Sequence, residues 1–332
     1  MSLNLEIPNW DKWSKQIEEL KKKLSLDHIK HYENPSLAII DTLTSLIQTY
    51  PHKTRAVLIN DGSLYFNLVL KTLNALNLDT LVLDKIPQNS EGVSAITKTD
   101  LFVFYCEDHQ ITGEIYHFQF LKEFLTNQKI FSIQLSHQSW RTPKKSPQQQ
   151  PVALMEHRVC LGKNNKAWVL GGLRTQVNSF LGSSQNLSEN LVDEICADFN
   201  TPLEEQKELI VQFEIARPQL WRPFVDLTRE RVWNQAVIYL VENIHGDLLK
   251  KVLLDKKIIL PHEIHSLSLC EWNYRPEFLN YFKSSFEKEV DFSFSKLILV
   301  DLQVFLREKE AARDLLSVFE ESIAEVKALQ NV

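Results

Sequence analysis

An α/β architecture with a mostly parallel sheet, followed by a smaller α+β region, is what the sequence predicts, on three observations. Short continuous apolar runs alternate with helix-period segments between residues 55 and 161, the pattern of strands covered on both faces. After residue 200 the texture becomes mainly helical, with one strand expected over 296–302. Glycine is scarce, 8 of 332 residues, where average usage of ~7% would give about 23. Backbone turns that need positive φ are therefore few.

Taken in order, Trp10, Trp13, Ile17, Leu20 and Leu24 recur at three- and four-residue intervals with Lys and Glu between them, which predicts an amphipathic helix over 10–24. Asn34-Pro35 opens a second helix that runs to about Tyr50 and is closed by Pro51, since proline at the first helical position gives up an N–H that would be unpaired anyway. Strands are expected at 55–59, 81–83, 101–105, 130–135 and 158–161, with helices at 63–76 and 116–127 between them. Strands and helices in that alternation build a sheet layered with helices. Residues 141–151, RTPKKSPQQQP, are nearly devoid of apolar side chains and read as a solvated loop or a lid. Helices are expected at 202–216, 228–241 and 307–329. No internal repeat is found. The organisation predicted is a helical arm over 1–30, a large domain over 31–200 and a smaller α+β domain over 201–332.

Composition excludes several function classes. Lys and Arg number 37 against 43 Asp and Glu, a formal charge of −6, which is not the basic surplus that phosphate neutralisation demands of a nucleic-acid binder. No apolar run reaches the ~18 residues of a membrane span, and the N-terminus lacks the layout of a signal peptide. The expected location is the cytoplasm. Cys106, Cys160, Cys196 and Cys270 form no C-x-x-C pair and read as free thiols. His262-Glu263-Ile264-His265 has its second histidine one residue too early for H-E-x-x-H, and His28-x-x-His31 has no carboxylate cluster beside it. No metal site is expected. The dinucleotide fingerprint, the P-loop and G-x-S-x-G are all absent. Trp221-Arg222-Pro223-Phe224 and Trp272-Asn273-Tyr274-Arg275 mix arginine with aromatics and read as packing contacts or as stacking surfaces for a ligand.

Three segments carry chemistry. Asn60-Asp61-Gly62-Ser63 lies between a strand and a helix, where unpaired N–H groups hold a phosphate or are closed by an Asp or Ser cap. Glu107 to Glu114, EDHQITGE, leaves the strand at 101–105, on the side of a parallel sheet where ligands bind. Lys163 and Lys166 precede the apolar, glycine-bearing stretch that ends at Arg174.

In that order, these segments resemble the large domain of fold-type I pyridoxal-phosphate enzymes, closest to the class I/II aminotransferases of the histidinol-phosphate aminotransferase and threonine-phosphate decarboxylase type. Tyr32-Glu33-Asn34-Pro35 is similar to the family's Y-x-x-P, the strand and turn from Val57 to Ser63 to its N-G-S region, and Gln110-Ile111-Thr112-Gly113-Glu114 to N-P-T-G-E. Lys166-Ala167-Trp168-Val169-Leu170-Gly171-Gly172-Leu173-Arg174 resembles K-A-F-G-L-A-G-L-R. The resemblance spans about residues 30–182.

It implies a pyridoxal 5′-phosphate cofactor bound to Lys166 as a Schiff base. Its phosphate would be held by Arg174, Gly62 and Ser63, with Lys163 close enough in sequence to join them. It implies a small amino acid or amine as substrate and a homodimer, with the helical arm available for exchange between subunits. The chain departs from the family at Gln134, where an Asp holds the pyridine nitrogen protonated, and at His137 and Gln110, where Tyr and Asn contact the phenolic oxygen. A neutral amide does not stabilise a pyridinium as a carboxylate does, so the ring becomes a poorer electron sink. No ring-stacking aromatic is identifiable beyond Tyr65, and no carboxylate-binding arginine beyond the weak stand-ins Arg275 and Lys296. Two functions follow from the resemblance: a divergent aminotransferase-like enzyme, or a non-catalytic relative that keeps the scaffold for binding. A third reading is an unrelated α/β protein.

Overall fold

Asn34 accepts the Leu37 N–H at 2.9 Å through its side chain, and Pro35 fills the first helical turn, so the second helix starts where its capping chemistry dictates. The computed structural model describes residues 10–24, 28–32, 34–61, 63–137, 156–161, 167–172, 189–199, 203–233, 235–241, 243–258, 260, 294–301 and 309–330. The chain divides into two compact units, residues 1–108 with 116–201, and residues 109–115 with 202–332.

The first unit contains α1 (Trp10–Leu24), β1 (His28–Tyr32), α2 (Pro35–Thr49), β2 (Arg55–Ile59), α3 (Leu64–Ala75), β3 (Asp79–Leu83), β4 (Asp100–Cys106), α4 (Gln119–Gln128), β5 (Ser132–Ser136), β6 (Glu156–Leu161), β7 (Ala167–Gly172) and α5 (Glu189–Phe199). Its seven strands lie in the order β1-β7-β6-β5-β4-β2-β3. The five from β3 to β6 are parallel, and β7 runs against both β6 and β1. The apolar runs in the sequence are the buried central strands. Ala56, Leu58, Phe102, Phe104 and Cys106 face the layer formed with α2 and α3. Their neighbours Val57, Ile59, Val103 and Tyr105 face the opposite layer, with Leu121 and Leu125 of α4. This two-residue alternation with both faces buried is why the strands carry no polar stripe. Leu20 of α1 is buried with Cys160 of β6 and with Leu191, Val192 and Ile195 of α5.

The second unit contains α6 (Leu203–Ile215), β8 (Trp221–Pro223), β9 (Gln235–Leu240), α7 (Gly246–Asp255), β10 (Leu297–Asp301) and α8 (Lys309–Gln330). Its strands form an antiparallel sheet in the order β10-β9-β8. Trp221 is fully buried between Phe213 and Phe319, with ring centroids 5.5 and 6.0 Å away, and its indole N–H donates to the Phe213 carbonyl. Trp221-Arg222-Pro223-Phe224 is thus a packing element.

The helix expected over 228–241 is corrected: Gln235–Leu240 is β9, buried along its whole length and paired on both sides. A six-residue apolar run has no period that separates helix from strand. The β-branched Val237 and Ile238 and the two available strand partners decide it. β1, β7, β8, α5 and α7 were not anticipated as elements. The polar segment 141–151, the 262–265 histidines, Cys270 and Arg275 lie outside the described residues. No helix among the described residues is long and apolar enough to cross a membrane.

Residues 109–115 leave β4 and pack wholly within the second unit. Glu114 bridges Arg231, the Val232 N–H donates to the Gly113 carbonyl at 2.8 Å, the Ile115 N–H donates to Glu230, and Gln235 Nε2 donates to Ile111. Gly113 has φ of +69°, and a Cβ there would lie 2.7 Å from the Val232 carbonyl oxygen. Gly113→Ala is expected to lose about 2 kcal/mol or more from the left-handed backbone and the clash together, read as a lower denaturant midpoint.

Candidate functional site

The carboxyl ends of β2, β4 and β5 carry polar residues that are buried despite their position at the edge of the sheet. Asp61 follows β2, Cys106 ends β4 with Glu107 and Asp108 after it, and Ser136 ends β5 with His137 after it. Ser63 is the N-cap of α3, its Oγ accepting the Phe66 N–H at 3.1 Å. The Ser63 N–H in turn donates to Asp61 Oδ1 at 3.0 Å. Of the two roles open to this turn, capping is the one its described residues perform.

Asp108 Oδ1 accepts the His137 N–H at 2.9 Å and the Ser136 hydroxyl at 3.5 Å, which locks the ends of β4 and β5 together. The His137 ring lies 5.5 Å from that of Tyr65. Its Nε2 is buried with no hydrogen-bond partner among the described residues. Burial lowers its pKa to about 4, against the opposing pull of the Asp61 charge, so the ring is neutral near pH 7. The Cys106 thiol, 3.6 Å from Ser63 Oγ, is pushed well above its usual range by burial and then by Asp61. It is a poor nucleophile there.

Gln134 stands opposite Tyr105 of β4 and Arg158 of β6. The Tyr105 hydroxyl donates to Gln134 Oε1 at 3.1 Å, which orients the amide. Gln134 Nε2, on a fully buried residue, has no partner among the described residues. Next to it Glu107 joins Arg158 at 2.5 Å and Lys122 of α4 at 3.0 Å. Burial works to lower the Arg158 pKa, but Glu107 and its other anionic neighbours hold it above its ordinary value. Gln134 and Tyr105 belong to the layer under α4, whereas Cys106 belongs to the layer with α2 and α3.

Of the residues singled out in the sequence, the first unit therefore brings Ser63 and His137 into the neighbourhood of Asp61, Cys106 and Asp108, and places Gln134 on Tyr105. Gln110 stands in the 109–115 segment of the second unit. There His109 Nδ1 accepts the Thr112 N–H at 3.0 Å and closes the turn. Lys296 ends the short 3₁₀ turn before β10. Gly62, Lys163, Lys166 and Arg174 lie outside the described residues; in sequence Lys166 immediately precedes β7, and Arg174 follows it by two positions. Asp61, Asp108, Cys106 and Tyr105 escaped sequence reasoning as a group. The signal that points to them is a polar residue directly after a continuous apolar strand, which is where a parallel sheet exposes its binding edge.

No protein-family model matches the sequence, and no curated protein is similar to it. Solved structures are similar. A NifS-like protein superposes with a TM-score of 0.66 at 12% identity, covering 97% of this chain and 91% of its own. The pyridoxal-phosphate-dependent transferase fold is the fold of this chain. The same fold aligns it with histidinol-phosphate aminotransferase from Clostridium acetobutylicum at a TM-score of 0.58 and 11% identity, over 97% of this chain and 92% of that one. Ureidoglycine-glyoxylate aminotransferase from Bacillus subtilis aligns at 0.63 and 10%, over 95% and 85%. Within this fold, the buried polar residues described above lie at the carboxyl edge of the parallel strands.

Two buried nitrogens test whether the residues present suit the cofactor. His137 Nε2 and Gln134 Nε2 have no protein partner among the described residues, and a buried polar atom is stable only with one. Pyridoxal phosphate carries two acceptors of the required kind, its phenolic oxygen and its ring nitrogen. His137, beside Tyr65 and the Cys106 layer, has the chemistry to meet one of them, whereas Gln134 lies with Tyr105 in the opposite layer, so the described residues do not bring both donors to one ring.

Proposed function

We propose that the protein is a divergent pyridoxal-phosphate-dependent enzyme of aminotransferase type, acting on an amino acid or amine through Lys166. The observation that supports this reading is the buried, unpartnered Nε2 of His137, at a position the family resemblance assigns to a cofactor contact. When bound, the cofactor supplies an aldehyde that condenses with amines and a ring that withdraws electrons from the bond to be broken. Lys166 would anchor it covalently and, once released by the substrate amine, take a proton from the substrate. Arg174, with Lys163, would clamp the phosphate. His137, neutral because it is buried, would donate Nε2–H. Gln134, turned to Tyr105 in the layer under α4, would leave the ring nitrogen without the charged partner that the family resemblance assigns there. A homodimer in the cytoplasm, with a small-molecule amine as partner, completes this reading.

The neutral Gln134, which cannot hold a pyridinium, favours a second reading, in which the scaffold binds a ligand or partner without turnover. An absorbance spectrum with added pyridoxal phosphate, before and after borohydride, tests the first. Wild type is expected to show a band that borohydride fixes, and Lys166→Ala to show none. No band in wild type, together with no shift in Tm on adding cofactor, overturns the enzyme reading. A fixed adduct with no turnover across amino acids and amines selects the second.

A further inference from the structure

We infer that Asp61 lowers the affinity of this site for phosphate-bearing ligands, because its buried carboxylate stands at the N-terminus of α3 on the N–H of the capping Ser63. The inference builds on the cofactor reading above but concerns only residues of the described chain. A helix N-terminus attracts anions through its unpaired N–H groups and the positive end of its dipole. Here the Ser63 N–H donates to Asp61 Oδ1 at 3.0 Å, and the Phe66 N–H donates to Ser63 Oγ at 3.1 Å. The first of these contacts already carries a negative charge.

That charge is not a surface one. Asp61 is 4% exposed, and its Oδ2 has no hydrogen-bond partner among the described residues. A buried carboxylate oxygen without a donor is costly, and the helix end offsets that cost. A second buried carboxylate, Asp108, stands close enough for its charge to act on the same Cys106 thiol as that of Asp61. A phosphate entering at α3 must therefore displace Asp61 from Ser63 or remain beside it. At short range in a buried site, repulsion between like charges is poorly screened. The consequence is selective: the phosphate of a ligand is disfavoured, while a phosphate-free aldehyde of the same shape is not.

The test compares full-length wild type with Asp61→Asn, which keeps an acceptor for the Ser63 N–H and removes the charge. Inorganic phosphate, pyridoxal phosphate and phosphate-free pyridoxal are titrated calorimetrically into each. Asp61→Asn is expected to bind inorganic phosphate and pyridoxal phosphate at least tenfold more tightly, with pyridoxal within twofold of wild type. Asp61→Ser, short and uncharged, should behave in the same way. Unchanged phosphate affinity in both variants overturns the inference, as does an equal gain for pyridoxal. A gain confined to the Asn variant also overturns it, because the cause would then be the added amide donor. Borohydride trapping at Lys166 is read separately in wild type. Its failure removes the enzyme reading, while the inorganic phosphate titration still decides the role of Asp61.

Discussion

Glu214→Ala is expected to destabilise the second unit by about 3–5 kcal/mol, the cost of breaking a buried ion pair from one side. Glu214 Oε1 meets Arg231 Nη2 at 2.6 Å, with both side chains fully buried. The same oxygen accepts the Val237 N–H of β9 at 2.8 Å. The Arg231 guanidinium also lies 4.0 Å from the centre of the Trp233 ring. Burial raises the Glu214 pKa while Arg231 and the Val237 N–H pull it back, the signature of a carboxylate that depends on its partner for its charge. Removing it leaves a guanidinium in the core with neither counter-charge nor water, and an N–H of the central strand without its acceptor. Removing both charges differs in kind, since the desolvation cost disappears with the pair. Glu214→Leu with Arg231→Met should therefore recover most of the loss. Urea unfolding of the single and double variants, followed by tryptophan fluorescence, checks this; a single-variant loss below about 1 kcal/mol would show that the pair behaves like a surface one.

Acid should weaken the first unit between pH 7 and pH 5. His137 and His157 are both buried, and burial lowers each from 6.5 to about 4. His157 is held neutral beside the Thr42 hydroxyl, at 3.4 to 3.5 Å from its ring nitrogens. The folded state keeps these imidazoles unprotonated, whereas the unfolded chain protonates them below its own pKa. Their contribution is therefore complete above pH 6.5, is lost as the pH falls towards 4, and changes no further below that. Between pH 7 and pH 5 each should remove about 2 kcal/mol, or about 4 kcal/mol together. Denaturant midpoints across that interval measure the loss, and His157→Gln should flatten it by about half. A profile that stays level from pH 7 to pH 5 would mean that the two rings admit water.

Much of the scaffold is legible in the sequence because its signals are local. Asn34-Pro35 places the start of α2 through capping chemistry that acts within one turn. The continuous apolar runs of β2 and β4 identify strands buried on both faces, and their order along the chain yields the parallel sheet. β9 resisted because its partners β8 and β10 decide its conformation, and β10 follows it by more than fifty residues. The site was legible in part for the same reason. Ser63 was marked by its turn between a strand and a helix, and His137 by the family resemblance. The Asp108 contact with His137, across 29 positions of sequence, and the hydroxyl of Tyr105 on Gln134 are products of strand register that no local pattern announces. Asp61 stood in plain view beside Ser63, but its burial is a property of the assembled sheet edge.

The way residues 109–115 are held bears on how the protein is made. The Gly113 carbonyl accepts the Val232 N–H, a partner that the ribosome adds roughly 120 residues later, or about 6–24 s at ordinary elongation rates. During that interval the turn keeps the bonds it makes within itself, from the His109 N–H to Glu114 and from the Gly113 N–H to His109, while the Gly113 carbonyl and the Ile115 N–H await their partners near residue 231. A pause in translation across residues 116–232 would lengthen the exposure of these two unpaired backbone groups, and unpaired backbone groups are what neighbouring chains pair with. Synthesis speed through this stretch is thereby coupled to the yield of correctly assembled protein.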